Sequence, residues 1–310
     1  LHLSLRRQRQ MCIRDRLISG PTASGKSIFA INLAKKVNGE IINADSMQVY
    51  KQLKILSARP DQKKYQKIRH HLYGFHDVKK NFSAGNWLKL VMKKIDEIKK
   101  RKKTPILVGG TGLYFKALTD GLVKIPSTPI KIRNQIRLMH SKVGQDKFYN
   151  KLLKLDPASK NKINPTDPHR SIRAYEVKLC TKKSIHEWYK NTKSNFEKSD
   201  FYKIYIDFPR TELIERINLR SKEMIKNGAI KEVKNFIKLK VKKDKSVNKA
   251  IGINEIRQYL NKEKELEDII ENISIKTRQY AKRQSTWARG HMNTWLKLKP
   301  KELNNFLKKI

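Results

Sequence analysis

Cysteine is scarce in this sequence of 310 residues, which contains only Cys12 and Cys180. Two cysteines exclude a framework of several disulfides and a zinc site built mainly on thiolates. The sequence also lacks any apolar run of about 18 residues, so we expect no membrane-spanning helix. Its N-terminus has no apolar core of a signal peptide. These absences favour a cytoplasmic protein.

Acidic residues are few relative to basic ones. There are 28 Asp and Glu against 71 Lys and Arg, which gives a formal net charge of +43 at pH 7. A globular fold does not need such an excess, and nucleic acid is the natural partner of a strongly basic protein. The chain is also rich in Lys, Ile and Asn, as expected from an AT-rich genome. Clusters of charge are therefore more informative than the total.

Residues 1–16, LHLSLRRQRQMCIRDR, differ from the sequence that follows. The first strand of a parallel sheet should be a nearly continuous apolar run, yet Arg14-Asp15-Arg16 stands where that strand should begin. The segment MCIRDR also resembles a translated sequencing adaptor. We therefore predict a non-native leader over residues 1–16 and a first strand starting at Leu17. A genuine basic tail that binds nucleic acid is the alternative.

Short apolar segments alternate with amphipathic helical patterns over residues 17–125. This alternation predicts an α/β core in which helices flank a parallel sheet, as in the P-loop NTPases. Residues 126–200 open with a proline-containing break and then show helical patterns without strands, which predicts an inserted all-helical subdomain. A strand near 203–206 and further helices predict that residues 201–310 complete the core with basic C-terminal helices.

A glycine-rich motif follows the first predicted strand. It fits the pattern G-x-x-x-x-G-K-[ST] and precedes an apolar helical pattern, so a bound phosphate chain would lie at a helix N-terminus. In such a loop the backbone N–H groups surround the anion, the lysine adds a positive charge, and the last hydroxyl can ligate Mg²⁺. The motif does not distinguish ATP from another diphosphate. Its residues are Gly20, Pro21, Thr22, Ala23, Ser24, Gly25, Lys26 and Ser27.

Two further strands should end at the same edge of the sheet, where ligands bind in open α/β folds. After one of them, Asp45 could be a general base, a Mg²⁺ partner or a helix N-cap, and spacing does not decide between these roles. After the other, the sequence offers Gly109-Gly110-Thr111 in place of the acidic residue expected of an ATPase. Thr111 can donate its hydroxyl to a phosphate oxygen. Asp207 keeps an ATP-dependent reaction possible.

Basic residues cluster on two predicted helices. Arg170 and Arg173 are three apart and share a face, which suits contacts with phosphates or bases, although a solvated basic face is the commoner explanation. In the last long helix Arg278 and Lys282 share a face, while Tyr280, Gln284 and Trp287 lie on another. That pattern fits nucleic-acid docking, but the aromatic residues could equally be part of the core. The adjacent His70 and His71 have no third ligand at metal-binding spacing, so we treat them as structural.

Taken together, these segments resemble the tRNA dimethylallyltransferase family, whose members prenylate an adenine beside the anticodon. The resemblance runs from Leu17 to about Gly290. The segments that carry it include GPTASGKS, NADSMQVY, SARPD, FSAGNW, ILVGGTGLYFKAL, DPHRSIRAYEV, RINLRSKEMIKNG, NKAIGINEI and TRQYAKRQSTW.

The resemblance implies transfer of a dimethylallyl group from dimethylallyl diphosphate to N6 of the tRNA adenine 3′-adjacent to the anticodon. The P-loop would then hold the diphosphate rather than ATP. Asp45 would be the general base, and Lys26, Thr111, Arg220 and a Mg²⁺ ion on Ser27 would stabilise the leaving diphosphate.

The resemblance also implies contacts with the anticodon stem-loop of tRNA. The matching positions are Asp45, Ser46, Met47, Gln48, Thr111, Arg133, His169, Arg170, Ser171, Ile172 and Arg173. The basic helix adds Arg278, Lys282 and Arg283. Two other functions stay open from the residues alone: a P-loop kinase for a small metabolite, and a nucleic-acid-binding module without catalysis. A monomer is the default expectation.

Overall fold

The protein is described here by a computed structural model, which covers residues 15–310. Its sheet has six strands in the order β3-β2-β4-β1-β5-β6, and every adjacent pair is parallel. This arrangement confirms the predicted P-loop NTPase-like parallel sheet. The strands are β1 (Asp15–Ser19), β2 (Gly39–Asn43), β3 (His70–His71), β4 (Thr104–Gly109), β5 (Phe201–Ile206) and β6 (Leu296–Leu298).

Except between β2 and β3, where the chain forms a short 3-10 helix at Gln62–Lys64, α-helices lie in the crossover connections between these strands. Their bounds are α1 (Lys26–Lys36), α2 (Ala84–Lys100), α3 (Gly112–Thr119), α4 (Ile130–Val143), α5 (Gln145–Leu155), α6 (Pro168–Thr181), α7 (Ile185–Lys190), α8 (Arg210–Lys226), α9 (Ala229–Lys238), α10 (Ile253–Leu260), α11 (Leu266–His291) and α12 (Pro300–Lys308). None of the helices within residues 15–310 is both long and apolar enough to cross a membrane.

The sheet is buried on both faces. Successive strand residues point to opposite sides, so Leu17 packs in a cluster with α2, α3 and α11, while Ile18 packs in another with α1 and α12. Residues Leu17 and Ile18 are both fully buried. Near-continuous apolar strands are therefore found where the parallel-sheet interpretation requires them.

Strand β1 starts two residues earlier than the sequence predicts. Asp15 pairs with β5 and Arg16 with both β4 and β5, although both residues are charged and buried. The Asp15 carboxylate lies 3.0 Å from the ammonium of Lys99, and burial raises the pKa of Asp15 to about 6. The Arg16 guanidinium lies over the ring of Tyr202, 5.1 Å from its centroid. The rest of the predicted leader, residues 1–14, lies outside the described residues.

The chain forms two compact units. One contains residues 15–119 and 196–310 and includes the whole sheet; the other, Asp120–Asn195, is helical. The helical unit has its own apolar core, which includes the buried side chains of Leu152, Ile163 and Val177. The predicted strand-free character of this region matches helices α4 to α7.

Candidate active site

The glycine-rich motif forms a tight loop between β1 and α1. Gly25, the residue before α1, has φ +81°, and Ala23 has φ +66°, so both are in the left-handed region. Glycine adopts this conformation without steric cost, whereas Ala23 is strained. The loop ends directly at the N-terminus of α1, where Lys26 and Ser27 precede the first bond of the helix, which the Ile28 N–H donates to the Gly25 carbonyl oxygen at 3.1 Å. A loop of this geometry before a helix N-terminus can form a concavity suited to an anion, here at the carboxyl edge of β1.

Lys26 lies at this concavity. Its ammonium donates to the carbonyl oxygen of Pro21 at 3.1 Å. Burial lowers the pKa of Lys26 to about 8, the negative charge of Asp45 raises it, and the positive charge of Arg220 lowers it. The ammonium of Lys26 is thus mostly charged at neutral pH, and nearby negative charge balances it only in part. An anionic ligand would supply the missing negative charge.

Asp45 follows β2 and is held in a defined orientation. The Asn43 side chain accepts from the Asp45 backbone N–H at 2.9 Å and donates to the carbonyl of Asp45 at 3.0 Å. Asp45 Oδ1 in turn accepts from the backbone N–H groups of Met47, at 2.9 Å, and Gln48, at 3.4 Å. The carboxylate caps a turn rather than a helix. It also interacts electrostatically with Lys26 and Arg220.

The loop after β4 is held against the loop that contains Asp45. A Cβ on Gly109 would lie 2.0 Å from the Ala44 carbonyl oxygen, so only glycine permits this approach. The backbone N–H of Thr111 donates to the same oxygen at 3.2 Å. The Thr111 hydroxyl accepts from the backbone N–H of Ser46 at 2.9 Å. Thr111 is therefore hydrogen-bonded to the residue that directly follows the predicted base, Asp45.

Helix α8 contributes two arginines to the P-loop. Arg220 donates to the hydroxyl of Thr22 at 2.7 Å. Burial lowers the pKa of the Arg220 guanidinium, and Asp45 opposes that shift. One helical turn earlier, Arg216 reaches Gly25, where a Cβ would lie 3.8 Å from its guanidinium. Two further cations thus adjoin the loop that holds Lys26.

The two faces of α11 line different cavities. Tyr280, Arg283, Gln284 and Trp287 line a cavity of about 180 Å³ together with Gly20 and Thr111. Burial raises the pKa of Tyr280, and the neighbouring side chains of Arg283, Thr111 and Gln284 oppose that shift. The basic face lines a separate groove of about 960 Å³ between α8, α11 and the carboxyl ends of β5 and β6. Arg278, Lys282 and Asp207 belong to that groove.

The predicted RNA-binding residues of the helical unit differ in exposure. Arg170 is the most accessible of the three arginines, with 73% of its side chain exposed and a contact to Asp167 at 3.4 Å. Arg133 and Arg173 both approach the carboxylate of Glu176, at 3.6 and 3.3 Å. His169 is exposed and Ile172 is half-buried, whereas Ser171 is buried and its hydroxyl accepts from Gln145 at 3.2 Å. Ser171 consequently faces the interior of the unit.

Comparison with known proteins assigns the family. A family model described as IPP transferase matches residues 48–291. This chain belongs to the IPP transferase family. The matched range includes Thr111, Arg220 and α11 but begins after the P-loop and Asp45.

Individual relatives extend the similarity across those elements. A tRNA dimethylallyltransferase of Pelagibacter ubique is 61% identical over 294 residues, which cover 95% of this chain and 94% of the relative. The full-length tRNA isopentenylpyrophosphate transferase of Bacillus halodurans has a similar structure, with a TM-score of 0.68, 30% identity, and coverage of 96% and 95% of the two chains. A eukaryotic dimethylallyltransferase acting on tRNA matches with a TM-score of 0.79 and 30% identity over 92% of this chain and 73% of its own.

Sequence analysis did not identify Arg216 and Gln284 as site residues. Arg216 could have been found because it lies four residues before Arg220 on a predicted helix, and such residues share a face. The face of α11 that bears Gln284 was recognised, but its contact partners lie 262 and 174 positions away along the chain. Helical periodicity gives no information about such distant partners.

Proposed function

We propose that this transferase moves a dimethylallyl group from dimethylallyl diphosphate to N6 of the adenine 3′-adjacent to the anticodon in tRNA. The observation that carries the proposal is the placement of a carboxylate, Asp45, within electrostatic reach of the P-loop cation Lys26. A phosphate-binding loop beside a fixed carboxylate suits a reaction in which a diphosphate leaves and a proton is removed.

Transfer forms one bond and breaks another. The adenine N6 attacks C1 of the dimethylallyl group, the C1–O bond breaks, and its electron pair leaves with the diphosphate. An aromatic amine is a weak nucleophile, so removal of its proton as the new bond forms lowers the barrier. We assign that proton to the carboxylate of Asp45, which the backbone N–H groups of Met47 and Gln48 hold in place.

Negative charge accumulates on the leaving diphosphate during this step. Lys26 and Arg220 are positioned at the P-loop before substrate binds, so little reorganisation is needed when that charge develops. We propose that the Thr111 hydroxyl, which accepts from the backbone N–H of Ser46 beside Asp45, orients the adenine or the diphosphate. Tyr280 lines the same cavity.

Magnesium fits this site as an ion that accompanies the diphosphate. No group of three His, Cys, Asp or Glu side chains within residues 15–310 could hold a metal ion alone. Mg²⁺ usually keeps several waters and binds substrate phosphates with few protein ligands, a pattern that the single hydroxyl of Ser27 matches. When bound there, the ion would neutralise part of the charge on the leaving diphosphate.

The net charge of +43 and the exposed Arg170 support binding of the anticodon stem-loop. The adenine must leave the stack of the anticodon loop, at an estimated cost of a few kcal/mol. We propose that the helical unit supplies phosphate contacts through Arg133, His169, Arg170 and Arg173, and that α11 adds Arg278, Lys282 and Arg283. The P-loop, Asp45 and Thr111 all belong to one unit of one chain, so we propose a monomer that works in the cytoplasm, where tRNA is found.

The deciding experiment incubates the purified protein with Mg²⁺, dimethylallyl diphosphate and unmodified tRNA, then measures N6-isopentenyladenosine in the digested RNA by mass spectrometry. A matched tRNA with guanosine at the target position serves as control, because it lacks the N6 amine. Product with the first RNA alone supports the proposal. ATP turnover without RNA would instead favour a kinase, and tight RNA binding with no product would favour a binding module.

A further inference from the structure

Gln284 on α11 bridges two loops of the active site. Its Oε1 accepts from the backbone N–H of Thr22 at 2.8 Å, and its Nε2 donates to the carbonyl oxygen of Gly110 at 2.9 Å. Thr22 lies in the P-loop, and Gly110 directly precedes Thr111. One side chain therefore connects the loop expected to hold the diphosphate with the loop that adjoins Asp45.

The bridge requires the chemistry of a primary amide. Gln284 must accept at one end and donate at the other, which Glu, Met and Lys of similar length cannot both do. The partner loop is also fitted to it, because a Cβ on Gly110 would lie 2.1 Å from the amide nitrogen. Gln284 and Gly110 line one cavity together with Thr111 and Tyr280, so the amide adjoins the acceptor side of the site.

The bridge also uses a P-loop N–H group. Backbone N–H groups of such a loop normally point to phosphate, but the N–H of Thr22 is committed to Gln284 and its hydroxyl to Arg220. Thr22 consequently attaches the P-loop to Gln284 and Arg220. Strand pairing of Ser19 with Gly109 brings the two loops together, and Gln284 adds a side-chain link between Thr22 and Gly110.

We propose that Gln284 is a positioning residue that sets the spacing between the diphosphate and the adenine acceptor. The inference rests on the proposed function, because the two loops hold the two reactants only if the reaction is prenyl transfer. Reacting atoms must approach to about 3–3.5 Å, and a misplacement of about 1 Å can cost on the order of 100-fold in rate. Gln284 would act on the rate of transfer and not on the binding of either substrate.

A purely structural role for Gln284 is a separate possibility. Helix α11 is anchored independently by the buried residues Ile273, Thr277, Ala281 and Ala288. Loss of one half-buried amide should therefore leave the helix in place. Gln279 provides a matched control, since it is a glutamine on the same helix that is exposed and lines the other groove.

The test compares Gln284→Met, Gln284→Glu and Gln279→Met in the full chain. Methionine keeps the length of the side chain and removes both hydrogen bonds, whereas glutamate keeps an acceptor for Thr22 and loses the donor to Gly110. The measurements are the single-turnover transfer rate at saturating substrates, the Kd for inorganic diphosphate, the Kd for tRNA and the urea midpoint of unfolding.

We expect Gln284→Met to slow transfer about 100-fold, while both Kd values change by less than about twofold. Gln284→Glu should recover part of the rate because Thr22 keeps its acceptor, and its added charge should weaken diphosphate binding. Gln279→Met should match the unmodified chain in the transfer rate at saturating substrates, the Kd for diphosphate and the urea midpoint.

Three results would overturn the proposal: a Gln284→Met rate close to that of the unmodified chain, a loss explained by weaker tRNA binding, or equal slowing by Gln279→Met. If Gln284→Met does not fold, Gln284→Glu is the deciding variant. A Gln284→Glu transfer rate equal to that of the unmodified chain at saturating substrates would reject the bridge. Failure of the proposed function would appear separately, as an unmodified chain that makes no isopentenyladenosine.

Discussion

The charge on Lys26 should destabilise the protein when no substrate is bound. Replacing Lys26 with an uncharged residue should therefore make the protein more stable but inactive. Moving the pKa of Lys26 from 10.5 to about 8 corresponds to roughly 3 kcal/mol, at about 1.36 kcal/mol per pH unit. The side chain is only partly shielded from water, so screening reduces this figure. We expect Lys26→Met to raise the free energy of unfolding by about 1–3 kcal/mol at pH 7.

The effect has a defined pH window. Between pH 8 and pH 10.5 the unfolded chain keeps the Lys26 proton while the folded chain releases it, so the stability contribution of Lys26 rises with pH. The difference between the unmodified chain and Lys26→Met should therefore be largest below pH 8 and disappear as pH approaches 10.5. Other lysines and tyrosines titrate in both proteins and cancel in the comparison.

Urea unfolding of both proteins at several pH values measures this difference directly. Lys35→Met, which removes an exposed lysine from the same helix, serves as the control and should change stability little. Binding of inorganic diphosphate should be lost in Lys26→Met and kept in Lys35→Met. A Lys26→Met protein less stable than the unmodified chain at pH 7 would refute the reasoning, because burial of the charge would then carry no cost.

Three further predictions concern other parts of the core. Asp45→Asn should fold and bind tRNA while single-turnover transfer falls by about 10²–10⁴-fold, and Asp207→Asn should retain full activity; equal rates for the two variants would remove Asp45 from the mechanism. Glu40→Gln should lower the free energy of unfolding by about 3–5 kcal/mol in urea titrations, without changing the rate per folded molecule. Gly109→Ala should destabilise by about 3 kcal/mol through contact with the neighbouring loop, whereas Gly290→Ala, which has open space around it, should not.

Sequence patterns predicted the parts of this fold that depend on local chemistry. The P-loop, the buried strands and the strand-free helical region all follow from residue spacing, turn residues and hydrophobic periodicity. Strands β3 and β6 were not predicted, because two or three residues give no usable period and their pairing depends on the neighbouring strands. The early start of β1 was missed for a related reason, since Lys99 and Tyr202 compensate its charges from distant positions.

The residues of the candidate site also divide into those that local motifs predict and those that depend on distant contacts. Lys26 and Thr111 could be singled out from motifs, but Asp45 remained open between a base and a cap, and Arg220 was identified only through the family resemblance. The structure gives Asp45 the backbone contacts of a turn cap and also places it near Lys26 and Arg220. The two roles are compatible, because the hydrogen bonds that cap the turn also fix the carboxylate.

Two carboxylate residues lie near the two ends of β2: Glu40 within the strand and Asp45 two residues after it. We expect the first to contribute to stability and the second to the reaction. Glu40, near the amino end, is fully buried and accepts from His71 at 2.7 Å and from Arg101 at 2.6 Å. Burial alone would favour its neutral form, but these two partners hold the pKa of Glu40 at about 2. Its stabilising effect should be complete above pH 4.5 and be lost as pH falls toward 2.

Asp45 comes just after the carboxyl end of the same strand, where the parallel topology also places the ends of β1 and β4. It is half-buried, and its carboxylate is held by backbone N–H groups. Its nearby cations, Lys26 of the P-loop and Arg220 of α8, adjoin the expected diphosphate site. A carboxylate saturated by side-chain cations, like Glu40, is a poor proton acceptor, whereas one oriented beside a ligand site can take a proton. The two substitutions should therefore change different properties. Glu40→Gln should lower the free energy of unfolding, and Asp45→Asn should lower the rate of transfer. Loss of transfer in both variants at equal folded fraction would show that the two ends of β2 are functionally coupled.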